Sequence, residues 1–412
     1  MSTVILPSPA EQDLPYRLVV AKWIGYFALI DLLFLPYFQL VIVPFSLPLL
    51  LLSMLVLHVK FKRDVYLTLF HLLSFCVVVS VLVAIFAART DEYLPENIKR
   101  VFQLLSSFVY FFYFRWLASQ VPLNVAPIAV GFIAWFAGFA LMFYLDPSGT
   151  GEIIRAFYGR LVTSEDILSE HLRFAYLFTD PNTAAYFFLV AASVLLLEKR
   201  SGLFLSVLIA GMTLLTFFTQ SKGALIGLVL MILTTLYPPD RFMKSFISVR
   251  RAVVLLVVVA GLSGLLLYIV NALGDSSTIV KMAYERVFDS PDQYTSGGSR
   301  FEVWERFSNH FLPLPVGRGY ALLVEGNFER PHSDVLRLAY SYGVIALGCA
   351  VIFFFSRIRS FAPLIIPALL AFLINSLIDE QKLLGLFLAL LAISVSAAER
   401  RESSAGVPGV QP

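Results

Sequence analysis

The chain has 412 residues, 58% of them hydrophobic and 14% charged, with a mean hydropathy of +0.81. A chain of this length and hydropathy cannot hide its apolar side chains in a water-soluble globule, so the bilayer is its solvent. The formal net charge of +3 is too small at this length to imply nucleic acid, and the lack of strand-type alternation excludes a transmembrane β-barrel.

Apolar runs of roughly 17–25 residues recur, long enough to cross a hydrocarbon core of about 30 Å as helices. Read in chain order they fall near 18–37, 40–59, 65–87, 101–118, 124–145, 182–198, 203–219, 223–237, 252–271, 334–356, 361–378 and 383–397. The expected fold is therefore all-α, a polytopic membrane bundle of about twelve transmembrane helices forming one integral domain over 1–412. The N-terminus, with Pro7, Pro9, Glu11 and Asp13, lacks the cationic start and cleavage site of a signal peptide and is expected to be retained.

Lys and Arg in short connections set the orientation. One set holds Lys60, Lys62 and Arg63; Lys199 and Arg200; Arg241, Lys244, Arg250 and Arg251; Arg357 and Arg359; Arg400 and Arg401. The opposite connections, such as 220–223 and 379–382, are nearly bare. The basic set is expected in the cytoplasm with both termini, and residues 400–412 read as a disordered tail. Arg115 reads as reaching for the cytoplasmic edge, and Asp31, inside a span, has no evident partner.

Two segments on the other side interrupt the bundle. The smaller, 146–180, opens with "DPSGTG", holds Arg155, Arg160, His171 and Arg173, and contains a short surface helix in "SEDILSEHLRF". It ends in "TDPN", where Asp180 caps a helix and Pro181 occupies the first turn. A capped span entrance accounts for Asp180 and Asn182 by itself. Cys76 and Cys349 fall inside spans and read as small core residues, and no two of the five histidines share ligand spacing, so no metal site is expected.

The larger segment, 271–333, carries most of the chemistry. With Arg337 just beyond, it holds Lys281, Arg286, Arg300, Arg306, Arg318 and Arg330, and it closes on His332 where an apolar run begins. In "GGSRFEVWERF", Ser299 stands three residues before Glu302, the capping-box spacing, so a helix from about Arg300 puts that arginine in its first turn. Helix starts attract anions, and a guanidinium fork there adds bidentate phosphate contacts. In "PLPVGRGY", Gly317 and Gly319 flank Arg318 and let backbone approach a ligand.

These residues resemble the O-antigen polymerase and ligase superfamily. The resemblance rests on "TDPNTAAYF", "QSKGALIGL", "SRFEVWERF", "PVGRGY" and "HSDVLRLAYSYGV" in that order, over about 180–342. It implies an integral membrane glycosyltransferase that uses undecaprenyl-pyrophosphate-linked glycans as donor and acceptor at the outer face of the bacterial inner membrane. It implies that Arg300 and His332 are the essential arginine and histidine, with Lys222 in place of the family's arginine in Ser-Arg-Gly. Lysine keeps the charge but loses the fork. Arg306, eleven residues before Gly317, matches a spacing associated with polymerases.

In that reaction a pyrophosphate leaves as a hydroxyl attacks, so cations must meet the leaving group and a base must take the proton. Arg300 and Arg318, with Lys222 and Arg306, suit the first need; His332 suits the second. Asp180, Asn182, Arg173 and Arg337 are candidate supporting residues. The chain has no Asp-x-Asp element, so neither metal nor cofactor nor nucleotide sugar is expected, and inversion at C1 is. A polymerase is favoured over a ligase, and both over a secondary transporter, which would place its ionisable groups at mid-membrane. A chain-length regulator is a further candidate partner.

Overall fold

The computed structural model describes residues 15–35, 43–86, 94–158, 174–178, 180–197, 202–236 and 332–405, together with 303–305, 307, 314–317, 319, 322–324 and 327–329. Outside these lie the expected span at 252–271, the surface helix within 164–174, and residues 406–412.

The fold is an all-α membrane bundle. Its first half comprises α1 (Tyr16–Phe34), α2 (Ser46–Val56), α3 (Val65–Phe86), α4 (Leu94–Gln120), α5 (Ala126–Leu145) and α6 (Pro147–Tyr158). The second comprises α7 (Pro181–Leu197), α8 (Gly202–Phe218), α9 (Lys222–Leu236), α10 (Asp334–Ser341), α11 (Val344–Phe355), α12 (Ile358–Ile374) and α13 (Gln381–Ala405). A small antiparallel hairpin, β1 (Leu322–Val324) with β2 (Asn327–Glu329), adds to this and pairs Val324 with Asn327.

Among the described residues four helices are long and apolar enough to cross a membrane: Val65–Phe86, Asn97–Gln120, Ala126–Leu145 and Gln381–Ser403. The bent pair Val344–Phe355 and Ile358–Ile374 makes a fifth if counted as one span. At 11 residues α2 is shorter than the span expected at 40–59, whereas α7 and α9, at 17 and 15 residues, have the lengths expected there and are short for a full crossing.

Two helices form the frame. α4 and α13 run parallel: Gln381 Nε2 donates to Ser106 Oγ at 2.7 Å near one end, and Ser396 Oγ donates to the Arg115 carbonyl at 3.2 Å toward the other. α7 is buried nearly all round from Thr183 to Leu196, as a helix apolar on every face must be, and packs against α5, α9, α12 and α13. Residues 174–178 are no surface loop. Phe174, Tyr176 and Phe178 are buried, and the Tyr176 hydroxyl donates to the Leu33 carbonyl at 2.8 Å, so this part of the expected outer segment belongs to the core.

Three boundaries differ from the sequence reading for physical reasons. α6 occupies what reads as loop, because Asp146 caps it as Asp180 caps α7: its Oδ1 accepts from the Gly149 N–H at 2.9 Å, with Pro147 next in the chain. The span expected at 334–356 breaks at Gly343, which has φ +91°, and Val344 N–H donates to the Leu314 carbonyl at 3.1 Å. α13 continues through 400–405, where a disordered tail is expected. Glu399 is held there by Arg115 at 2.8 Å and by Lys62 at 3.1 Å.

Arg115 does not trail into solvent. Its guanidinium is buried between Asp64 at 2.5 Å and Glu399 at 2.8 Å, over the ring of Tyr66. Asp31 likewise has company: its carboxylate accepts from the Ser46 N–H at 2.6 Å, and the Ser46 hydroxyl meets Tyr110 at 2.9 Å. The buried ammonium of Lys382 donates to the Asp31 carbonyl at 3.0 Å and to that of Leu35. A cation is thus set at the C-terminus of α1, where free carbonyls favour it.

Candidate active site

Three helix starts gather at one end of the bundle. α7 begins at Asp180, whose Oδ1 accepts from both the Asn182 N–H and the Asn182 side chain at 2.9 Å. These residues are caps in the structure, as their sequence suggests. Thr183 then ties this start to the end of α12, accepting from Asn375 Nδ2 at 3.2 Å.

α9 begins at Lys222. Gln220 has φ +54° and turns the chain sharply, and Ser221 caps the new helix through its carbonyl to Leu225 N–H at 3.0 Å. Gly223 packs closely: a Cβ there would lie 2.4 Å from the Tyr186 hydroxyl and 2.7 Å from Ile374, so those side-chain ends would have to shift. That close approach sets Lys222 beside the ends of α7 and α12.

α10 begins immediately after His332, which is exposed, and Ser333, which is buried. What fixes this helix is Asp334. Its Oδ2 accepts from the Leu377 N–H at 2.6 Å and the Ile378 N–H at 3.0 Å, and its Oδ1 from Ser376 Oγ at 3.1 Å. Burial pushes this carboxyl up to about 7, with Arg337 and the two backbone N–H groups pulling the other way. α10 lies outside the candidate spans, but its amphipathic face packs inward.

Arg337 is committed. It is 3% exposed, ion-paired with Asp379, 3.8 Å from Asp334 and bonded to Ser376 at 3.2 Å. As a supporting phosphate ligand it has little left to offer, and its role is to lock α10 onto the α12–α13 turn. Arg100 on α4 reaches the same carboxylate, 3.7 Å from Asp379 Oδ1. Arg100, Asp334 and Asp379 are the members sequence reasoning missed. The available signal was the Asp334/Arg337 spacing of three, which faces an ion pair along one helix side.

The "PVGRGY" segment is pressed into this end. Gly317 N–H donates to Ser80 Oγ at 3.1 Å and Gly319 N–H to the Ser341 carbonyl at 2.9 Å. A Cβ on Gly317 would lie 2.2 Å from the Ser341 carbonyl carbon, and Gly319 has φ +89° against Ala84 and Asn97. The glycines that flank Arg318 are therefore required by packing as well as by turn geometry. Helical residues 303–305 and 307 lie against α10, with the Phe307 and Tyr340 rings 5.6 Å apart edge to face and Val303 and Leu336 completing the cluster.

The structure thus brings Lys222, Asp180, Asn182, His332 and Arg337 to one end of the bundle. Arg173, Arg300, Arg306 and Arg318 lie outside the described residues. The end opposite holds Lys62, Asp64, Arg115 and Glu399, about 22 Å away along α4 from Arg100 to Arg115 at 1.5 Å per residue.

Comparison with known proteins bears on these same elements. No curated protein matches the chain. Residues 185–353, from the second turn of α7 to the end of α11, match the family model described as O-antigen ligase. Lys222, His332 and Arg337 fall within that stretch, while Asp180 and Asn182 lie just before it. The family's members are glycosyltransferase-like enzymes, polymerases and ligases of surface polysaccharide. Over residues 185–353, this multi-pass membrane protein is thus similar to the O-antigen ligase family, in line with the superfamily resemblance of its sequence.

Proposed function

We propose that the protein is a polysaccharide polymerase that joins undecaprenyl-pyrophosphate-linked repeat units at the outer face of the bacterial inner membrane. The observation that supports this reading is that Lys222 and His332, each at a helix start, lie at the same end of the bundle, away from the basic connection at 60–63. Unpaired N–H groups and a partial positive charge at such starts suit a pyrophosphate.

In the proposed reaction an acceptor hydroxyl of one lipid-linked glycan attacks C1 of the donor sugar. The new C1–O bond forms as the C1–phosphate oxygen bond breaks, with inversion, and undecaprenyl pyrophosphate departs with the electron pair. His332 takes the hydroxyl proton. Its exposure leaves it open to substrate, whereas Asp334, the next residue but one, fixes the backbone that carries it. Arg300 and Arg318 are assigned to the leaving phosphates by resemblance, with Arg306 and Lys222 in support; no metal or cofactor enters.

A second reading, ligation of the finished glycan to lipid A–core, is favoured by the description of the matching family. A gene deletion resolved on a lipopolysaccharide gel separates them. Core plus a single repeat marks a lost polymerase; bare core with accumulated lipid-linked polymer marks a lost ligase. For either, His332→Ala removes the product while leaving the membrane-inserted protein at wild-type level. Normal banding in that variant would remove His332 from the chemistry.

A further inference from the structure

The end of the bundle opposite the candidate site holds a cavity of about 440 Å³. It is framed by the start of α1, the link between α2 and α3, and the ends of α4 and α13. Four permanent cations face it, Arg17, Lys60, Lys62 and Arg115, against one lining carboxylate, Glu399. Arg115 and Lys62 are already engaged, by Asp64 and Glu399. Arg17 and Lys60 are not: neither has an ion pair or side-chain hydrogen bond among the described residues. Counting Asp64 with Glu399, the site keeps a surplus of two positive charges. The rest of its wall mixes apolar and aromatic side chains, from Leu18, Leu57, Phe61, Phe112 and Trp116, with the polar His58, Ser119, Gln120 and Ser396.

The charge and the wall together describe a ligand. Two cations with no partner among the described residues, beside a buried guanidinium, call for an anion with several acceptor oxygens, which a phosphate supplies and a carboxylate supplies less well. Apolar walls beside them suit an anion carried on a hydrocarbon body. The volume lies within the ~300–1,000 Å³ usual for ligand pockets, and basic pockets between membrane helices take acidic lipid head groups.

We propose that this cavity binds a phosphate-bearing anion through Arg17 and Lys60, with the head group of an acidic phospholipid as the ligand its walls fit. The bound phosphate would join the start of α1 to the link before α3 across the Arg115 cluster. This site is separate from the glycan chemistry and does not rest on the proposed activity.

The test uses the full-length protein purified in a neutral detergent. Thermal unfolding is followed with added phosphatidylglycerol, with phosphatidylcholine, and with inorganic phosphate, in wild type and in the double variant Arg17→Ala/Lys60→Ala. Both side chains are exposed and unpaired, so the variant folds. Phosphatidylglycerol should raise the wild-type melting temperature saturably, and the variant should need about tenfold more lipid or fail to respond. A matching rise with inorganic phosphate supports the anion site and identifies a soluble source; its absence identifies the lipid. An equal rise with phosphatidylcholine, no rise with either anion, or an unchanged response in the variant overturns the proposal.

Discussion

At the scale of single residues, the most consequential side chain is Asp334, not the histidine beside it. One carboxylate closes two backbone N–H groups of the α12–α13 turn, a serine hydroxyl, and one side of the Arg337 pair. Removing one partner of a buried, hydrogen-bonded charge pair typically costs about 3–5 kcal/mol. Asp334→Ala should therefore lower melting in detergent sharply and reduce the amount of protein in membranes, with activity lost in proportion. Its titration has a definite sign. The folded-state value of about 7 exceeds the unfolded value of ~3.9, so ionisation weakens the fold progressively as pH rises from about 4 to about 7. Asp334→Asn should flatten that part of the profile, measured as the difference in melting temperature between pH 5 and pH 7. A wild-type-like slope in the variant would assign the dependence to another carboxyl. Sequence reasoning marked the histidine through resemblance but passed over the aspartate, since a charge in the first turn of a helix reads as an ordinary dipole partner. What made Asp334 special was a contact more than forty residues away, which no local pattern contains.

At the scale of elements, the site end is assembled by backbone approaching backbone. Gly317 sits against the Ser341 carbonyl and Gly343 against the Pro315 carbonyl, each with less than 2.5 Å of room for a Cβ. Gly343→Ala is doubly penalised, by that clash and by φ +91°, and should cost more than the ~1–2 kcal/mol of left-handed strain alone. Gly317→Ala should cost a similar amount through the clash. Both variants should lose product and melting temperature together, whereas His332→Ala loses product only; a stable but inactive Gly317→Ala would show that the segment serves chemistry more than assembly. Much of this level was legible. Asp180–Pro181 announced the start of α7, the glycines around Arg318 announced close approach, and the Phe307 stretch read as helix. The same Asp-Pro signature at 146–147 marks α6 equally well, but a short helix with few apolar residues lacks the long run that identifies a span. The break at Gly343 was invisible because hydropathy is continuous across it, and only the docked 314–317 segment explains it.

At the scale of the molecule, composition alone decided the solvent and the class of fold. The number of crossings was less legible, because hydropathy cannot tell a full span from a shorter apolar helix such as α2, α7 or α9. The expected orientation puts the basic short connections in the cytoplasm. Both native cysteines are buried, so single introduced cysteines report on that orientation cleanly. Lys60→Cys should react only with a membrane-permeant maleimide, and Ser148→Cys with an impermeant one added outside intact spheroplasts. The reverse pattern would invert the bundle and put the proposed glycan site on the wrong face.

The parallel pairing of α4 with α13 has a consequence for biogenesis. Arg115 is translated long before Glu399, and Asp31 long before Lys382, yet each early residue finds its late neighbour only in the finished bundle. A nascent chain halted before its last helix holds a guanidinium short of one counter-charge and an α1 terminus without its ammonium clasp. α13 thus brings late partners to two groups laid down early in the chain, and a chain cut before Gln381 leaves both short of those neighbours.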